Sequence, residues 1–186
     1  SLTGTTDPAT SHLFSTENSH AGFLLSLGLQ GHLNVLSVAD ICDYLTRGHE
    51  PTTISMLIGL AASRIGSSDS LLSKTLCLHL PTLMYPLDIA SEIDVSPFVQ
   101  TSALIGLGLL HCSSANRLII EFLLTELASP TISSSNHLTS DGNPQQETSE
   151  AISLSAGWSL GMLLLRIGHF QTEKTTDFSK FDIHDL

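Results

Sequence analysis

Charge is what this 186-residue chain has least of: Asp, Glu, Lys and Arg make up 13%, about half the share of an ordinary globular domain. Few charges mean few fully solvated helix faces, so helices built from this sequence need cover on more than one side. The shortage is also uneven. Seven Lys and Arg stand against 18 Asp and Glu, a net charge of −11, which repels a phosphate backbone and excludes nucleic acid as a partner class. Aromatics are scarce, at 5% with a single Trp. The three cysteines, Cys42, Cys77 and Cys112, are an odd number without C-x-x-C spacing, which argues against a disulfide framework. There is no N-x-[ST] sequon, and the polar stretch from Ser1 to Asn18 has no basic, apolar leader. The longest near-apolar run, Ala103 to Cys112, falls short of the roughly 18 to 20 residues of a membrane span. These lacks point to a soluble chain in a reducing compartment, with no membrane partner. The first residue is Ser1 rather than Met, which reads as a fragment.

What is present is aliphatic. Hydrophobic residues reach 41% and the mean hydropathy is +0.23, too apolar for disorder throughout. Leu, Ile and Ala dominate, which suits helix packed on helix. Four short segments resemble one another: Ala21 to Leu29, Ser55 to Ala61, Ser102 to Leu109 and Ser155 to Met162. Each holds a small–Leu–small core, namely Ser26-Leu27-Gly28, Gly59-Leu60-Ala61, Gly106-Leu107-Gly108 and Ser159-Leu160-Gly161. The steps between them are 33, 47 and 53 residues. The first is an ordinary helix-pair repeat length, and the others need insertions.

Each segment is expected to be the first helix of a pair. These first helices are expected near Asn18 to Gln30, Thr53 to Ile65, Pro97 to His111 and Glu150 to Ile167, the last stopped by Gly168. Ser37 with Asp40 forms a capping-box pattern before a second helix whose Val38, Ile41, Cys42 and Leu45 share a face. Ser68 or Asp69 caps the next, which carries Leu72, Leu76 and Leu80 and ends at Pro81. Ser96-Pro97 reads as N-cap and first helical position. A helix from Ser114 carries Leu118, Ile119, Phe122 and Leu123 up to Pro130. Gly inside a helix costs about 1 kcal/mol relative to Ala. Its recurrence implies an offsetting gain, which close backbone approach between neighbouring helices supplies. Gly28, Gly59, Ala61, Gly106, Gly108, Gly157 and Gly161 are therefore the expected packing positions, in an inner row of first helices. The second helices are expected to be longer, more amphipathic and outside.

The expected organisation is all-α. A linker or disordered stretch covers 1–17, and four repeats occupy 18–169 (18–49, 53–84, 97–128 and 150–169). Insertions lie at 83–95 and 129–149, and an irregular acidic tail covers 170–186. The second insertion holds nine Ser or Thr and hardly an apolar residue. Within it Ser129-Pro130 is a minimal proline-directed kinase site, so Ser129 is a candidate phosphosite. The proline would hold Ser129 extended, and phosphate there would oppose the dipole of the preceding helix.

The block His20-Ala-Gly-Phe-Leu-Leu-Ser-Leu-Gly-Leu-Gln-Gly-His-Leu33, with Ser37 to Tyr44 and His49-Glu50, resembles the family of anaphase-promoting complex subunit 1, a large scaffold subunit. Val99 to Leu109 and Leu154 to Gly168 are similar to later repeats of that family. The small–Leu–small helices alone also fit the large base subunits of the proteasome regulatory particle. The resemblance implies proteasome/cyclosome helix-pair repeats in an α-solenoid that closes into a toroid, and a non-catalytic scaffold role in a cell-cycle ubiquitin ligase. It implies as partners the other subunits of that complex, with coactivator or substrate-recognition subunits, and a location in nucleus and cytoplasm. Ser26 and Ser159 depart from the Gly or Ala expected at their positions. Four pairs make an open arc, which would leave Ile152 to Leu165 uncovered.

Gly157-Trp158-Ser159-Leu160-Gly161 matches the G-x-S-x-G nucleophile elbow of hydrolases. The catalytic His and acid would then have to lie on later strands, and the 25 residues after Gly161 leave no βα units to carry them. Cys77-x-His79 and His111-Cys112 are the nearest approach to a metal pattern, and neither has a second half-site. Buried thiols are the better reading. Gly106-x-Gly108 lacks the third glycine and the strand of a dinucleotide site. Gly157-x-x-x-Gly161 reads as close packing rather than a membrane dimer, because Arg166 follows. No catalytic residue, cofactor or metal is expected.

Overall fold

The structure is a computed structural model that describes residues 8–84, 95–133 and 144–165. Every regular element among them is helical. The first helices of the pairs are α1 (Pro8–Leu29), α3 (Glu50–Ser63), α6 (Pro97–Leu110) and α8 (Pro144–Leu163). The second helices are α2 (Val38–Thr46), α4 (Ser70–Cys77) and α7 (Arg117–Ser133). A 3-10 turn, His32–Val35, precedes α2, and a short helix α5, Pro81–Met84, follows α4.

The first helices stack side by side in the order α1, α3, α6, α8, and each second helix lies against the first helix of the following pair. Thus α2 packs on α3, α4 on α6, and α7 on α8. The two central first helices have neighbours on several sides. That is why α3 buries Thr52, Ser55, Met56, Leu57, Leu60 and Ala61, and α6 buries Ser102, Ala103, Leu104, Leu107 and Leu110, with no single apolar stripe. The outer helices α2 and α4 need only one stripe, Ile41 in the former and Leu72 with Leu76 in the latter.

The repeat steps of the sequence reappear as hydrogen bonds. The turn after α3 donates Gly66 N–H to the Leu109 carbonyl at 3.0 Å and Ser68 N–H to that of Leu110 at 3.0 Å. The turn after α6 does the same one repeat later: Ser113 N–H reaches Met162 O at 3.0 Å and Ala115 N–H reaches Leu163 O at 3.3 Å. The donors are 47 residues apart and the acceptors 53. Each turn so satisfies the unpaired carbonyls at the end of the next first helix. In the first pair a side chain does this work. Asn34 Nδ2 donates to Ser63 O at 2.9 Å, and Arg64 Nε donates to Asn34 Oδ1 at 3.1 Å.

Several boundaries differ from expectation. Helix α1 begins at Pro8, so 8–17 is helix rather than linker. Helix α7 runs through Pro130 to Ser133 and α8 starts at Pro144, which narrows the second insertion at both ends. Ser129 is therefore helical, not extended, although a proline follows it. The second helices are not generally longer. Helices α2 and α4 have 9 and 8 residues against 22 and 14 in their partners, and only α7, with 17, exceeds its own. One apolar stripe needs no more than two turns. Val38, Cys42 and Leu118 lie outside those stripes, exposed. Residues 1–7 of the expected linker, 85–94 of the first insertion, 134–143 of the second, Gly168 and the tail 170–186 lie outside the described residues.

Candidate interaction sites

A helix advances about 100° per residue, so positions i and i+2 face nearly opposite ways. The two small residues of each small–Leu–small core therefore serve two neighbours, one before and one after. The same staggered pairing occurs three times, in two cases tighter than van der Waals contact and in one, at Ala61, at an ordinary distance. A Cβ on Gly28 would lie 2.2 Å from the Cα of Gly59. One on Gly106 would lie 3.5 Å from the Cβ of Ala61, and one on Gly108 would lie 2.7 Å from the Cα of Ser159. In each case the last small residue of one core meets the first small residue of the next. Gly106 is further confined by Leu76 of α4, whose Cδ2 would be 2.8 Å away. Gly157 looks instead at Leu127 of α7, at an ordinary 3.5 Å. Gly161 meets no described atom within 4 Å of an added Cβ. Ser26, the first small residue of the first core, is exposed at the other end of the row. These two positions face where a further first helix would lie.

Ser159 is fully buried inside α8, and its hydroxyl donates to Leu104 O at 2.7 Å. A nucleophile elbow holds its serine exposed on a strand-to-helix turn. Ser159 has neither the exposure nor the turn. It fits because Gly108 opposite has no side chain.

The cysteines are free thiols, but the reading as buried thiols does not hold, since Cys42 is exposed and Cys77 and Cys112 are only half-buried. Cys77 is half-buried, and burial pushes its thiol above the ordinary range, which disfavours a reactive thiolate. Ser73 on α4 links it to the end of α6, with Ser73 Oγ 3.1 Å from His111 Nε2. His111 is buried, its Nδ1 has no hydrogen-bond partner among the described residues, and burial holds its pKa below the usual imidazole value. Among the described residues, no three His, Cys, Asp or Glu side chains converge as metal ligands. None of the described helices is long and apolar enough to cross a membrane.

Two caps fall where the sequence indicates, whereas α7 starts at Arg117 rather than Ser114, with Asn116 Oδ1 accepting from Leu118 N–H at 3.1 Å, and Ser96 precedes α6 without a side-chain cap bond. Ser37 and Asp40 form a reciprocal capping box, and the Ser37 hydroxyl lowers the Asp40 pKa. Asp69 rather than Ser68 caps α4, accepting from Leu71 N–H at 2.9 Å and Leu72 N–H at 3.1 Å. The Leu72 bond is the main reason its carboxyl lies below the ordinary range.

Two further surfaces stand out. Near the starts of the second helices, Val38, Leu71 and Leu118, spaced by the repeat steps of 33 and 47 residues, are all exposed, as are Ile65 and Leu165 at the ends of first helices. Along α8, Leu154 and Trp158 are exposed one turn apart. Between α1, the end of α2 and the start of α3 there is a pocket of about 230 Å³, lined by Glu17, His20, Tyr44, Arg47, His49 and Thr52. Sequence reasoning missed it, because its residues come from three elements and share no motif.

Two family models match the chain: APC1 fourth domain over residues 6–65 and APC1 fifth domain over residues 70–184. The chain belongs to the anaphase-promoting complex subunit 1 family. A human protein named anaphase-promoting complex subunit 1 is 40% identical over 152 residues, covering 82% of this chain and 7% of the relative. A protein from Emericella nidulans named negative regulator of mitosis is 39% identical over 153 residues, 81% of this chain and 7% of its own length. The anaphase-promoting complex subunit 1 of Saccharomyces cerevisiae is 32% identical over 155 residues, 83% of this chain and 8% of that protein. The chain thus spans about 7% of the human relative. Membership in this family disfavours the proteasome base-subunit alternative. The two family domains are not separate bodies here. Their boundary, 66–69, falls in the turn after α3, yet the row of first helices runs across it through the Ala61–Gly106 contact.

Proposed function

We propose that this chain is a non-catalytic scaffold segment of the anaphase-promoting complex, a cell-cycle ubiquitin ligase, organising other subunits and the substrate-recognition side. The observation that carries this reading is the thrice-repeated contact Gly28–Gly59, Ala61–Gly106 and Gly108–Ser159, in a chain of the subunit 1 family. Close backbone packing makes a stiff row and spends the interior on structure rather than on a site. The segment divides into four repeats, 18–49, 53–84, 97–128 and 150–169. Its partners are the complex's other subunits, including coactivator or substrate-recognition subunits, in nucleus and cytoplasm. The open positions Ser26 and Gly161 take the neighbouring helices of the longer solenoid, and Gly161 packs there as Gly108 does here. Ser129 is the regulatory position: phosphate in the last turn of α7 would oppose the helix dipole.

The test replaces Gly108 by Leu in the full-length protein and purifies the complex through a tag on a different subunit. Loss of the tagged subunits' association, or loss of substrate ubiquitination with the other subunits retained, supports the reading. Failure of the unaltered protein to co-purify with the complex overturns it. Phosphosite mapping of the mitotic complex tests Ser129, and an unmodified Ser129 at full peptide coverage removes that part.

A further inference from the structure

Neighbouring first helices meet at their small-residue seam, near their C-terminal ends, and a second contact recurs toward their starts. Glu17 stands eleven residues before Gly28, and Glu50 stands eleven before Ala61. His49 stands ten residues before Gly59, and Ser96 stands ten before Gly106. The structure joins these positions in the order of the seam. Glu17 Oε1 lies 3.6 Å from His49 Nδ1, linking α1 to the start of α3. Ser96 Oγ–H donates to Glu50 Oε1 at 2.5 Å, linking α6 to α3. The two acids are 33 residues apart and their two partners 47, which are the steps of the seam itself.

An exposed polar tie adds little to overall stability. Its leverage here is geometric. The seam brings two helices together near one point, about which they can splay. Eleven residues at about 1.5 Å each set the tie about 16 Å from that point. Two contacts so far apart fix the angle between the helices, and the rotation from one repeat to the next sets the curvature of an array. The third joint has the seam without the acid. Gly108 meets Ser159, but the residue eleven before Gly108 is Pro97, and ten before Ser159 is Ser149. The proline ring has no donor or acceptor to offer Ser149. The helix boundaries change at the same place. Helices α3 and α6 begin one residue after His49 and Ser96, whereas α8 begins at Pro144, five residues before Ser149.

We infer that Glu17 and Glu50 set the crossing angle of the first helices at the first two joints, and that the joint between α6 and α8, where Pro97 replaces the acid, is the point at which the array can change its curvature. The device is made of this chain's own residues, so it stands apart from which subunits the segment organises.

The test is amide hydrogen exchange, resolved by mass spectrometry on the full-length protein in its purified complex. Val99 and Gln100 N–H both donate to Ser96 O, and Thr53 N–H donates to His49 O, so these amides report the tied ends. Glu50→Ala should speed exchange at Val99 and Gln100 about threefold, the scale of an exposed charged pair. Ser96→Ala should match it, since Ser96 makes no side-chain cap bond of its own, and the double variant should go no further. Glu17→Ala should act in the same way at Thr53. Pro97→Glu supplies the missing acid. It should slow exchange over 150–156 about threefold, and adding Ser149→Ala should abolish the slowing. Additive effects of Glu50→Ala and Ser96→Ala, unchanged exchange at Val99, Gln100 or Thr53, no slowing by Pro97→Glu, or slowing that survives Ser149→Ala would each overturn the inference.

Discussion

Gly108 and Gly161 hold the same place in their repeats, 53 residues apart, with the same Leu before them. An added Cβ at Gly108 would meet the backbone of Ser159 at 2.7 Å, while at Gly161 it would meet no described atom within 4 Å. One glycine is required by a neighbour and the other is not required by anything described. The motif marks a position where close approach is possible, and the neighbouring helix decides whether it happens. The same reasoning separates Gly28, pressed on Gly59, from Gly22, which meets no described atom within 4 Å of an added Cβ.

Substitution can break this contrast. Gly108→Leu should overpack a backbone contact that cannot yield, lowering stability by about 1 to 3 kcal/mol. Gly28→Ala, set against Gly59 Cα, should fall in the same range. Gly157→Ala is the comparison, with a flexible leucine end at 3.5 Å as its nearest neighbour. Thermal melts of the three variants decide the matter, and equal Tm values would remove the seam as an explanation. At Gly161 the sign reverses. Gly161→Ala should stabilise the isolated chain by up to about 1 kcal/mol through helix propensity, yet weaken the assembled protein if a further helix packs there. Melts of the chain alongside assembly of the full-length protein read the two effects separately.

His111 offers a pH-dependent version of the same test, because it sits where α4 meets the end of α6. Burial depresses its folded pKa below the ordinary imidazole value of about 6.5. The unfolded chain therefore takes up the proton first. The contribution is intact above about pH 6.5 and is lost as pH falls from there toward the folded pKa. Tm measured from pH 8 to pH 5 should decline, and the decline should be shallower in His111→Phe. The smallest effect concerns the turns. Gly66 has φ 69° and Ser113, its equivalent 47 residues on, has φ 60°. Ser113→Gly should gain about 0.5 kcal/mol by relieving a left-handed serine, less the entropy that glycine loses on folding. An unchanged or lower denaturation midpoint would show that the turn carries no such strain.

Much of the fold was legible because its devices are local. The spacing of Ser26, Gly59, Gly106 and Ser159 announced four first helices, and Ser37 with Asp40 announced a cap. Second-helix length was misjudged, because one buried stripe, Ile41 or Leu72 with Leu76, needs only two turns. The pocket was invisible for a different reason: Glu17, Tyr44 and His49 come together only when α1, α2 and α3 are packed.

The sequence alone determined that this chain is an array of helix pairs with small-residue cores, since helix periodicity and the cost of interior glycine are properties of the local chain. The repeat steps of 47 and 53 residues also recur in the backbone hydrogen bonds between turns and the next first helix. Only the tertiary structure decided that each second helix lies on the first helix of the next pair. It also decided that the two small residues of a core face opposite neighbours, and that Ser159 is a buried donor to Leu104 rather than an exposed nucleophile. Those outcomes depend on which surface each helix finds opposite it, and that is a property of the packed array rather than of any one segment.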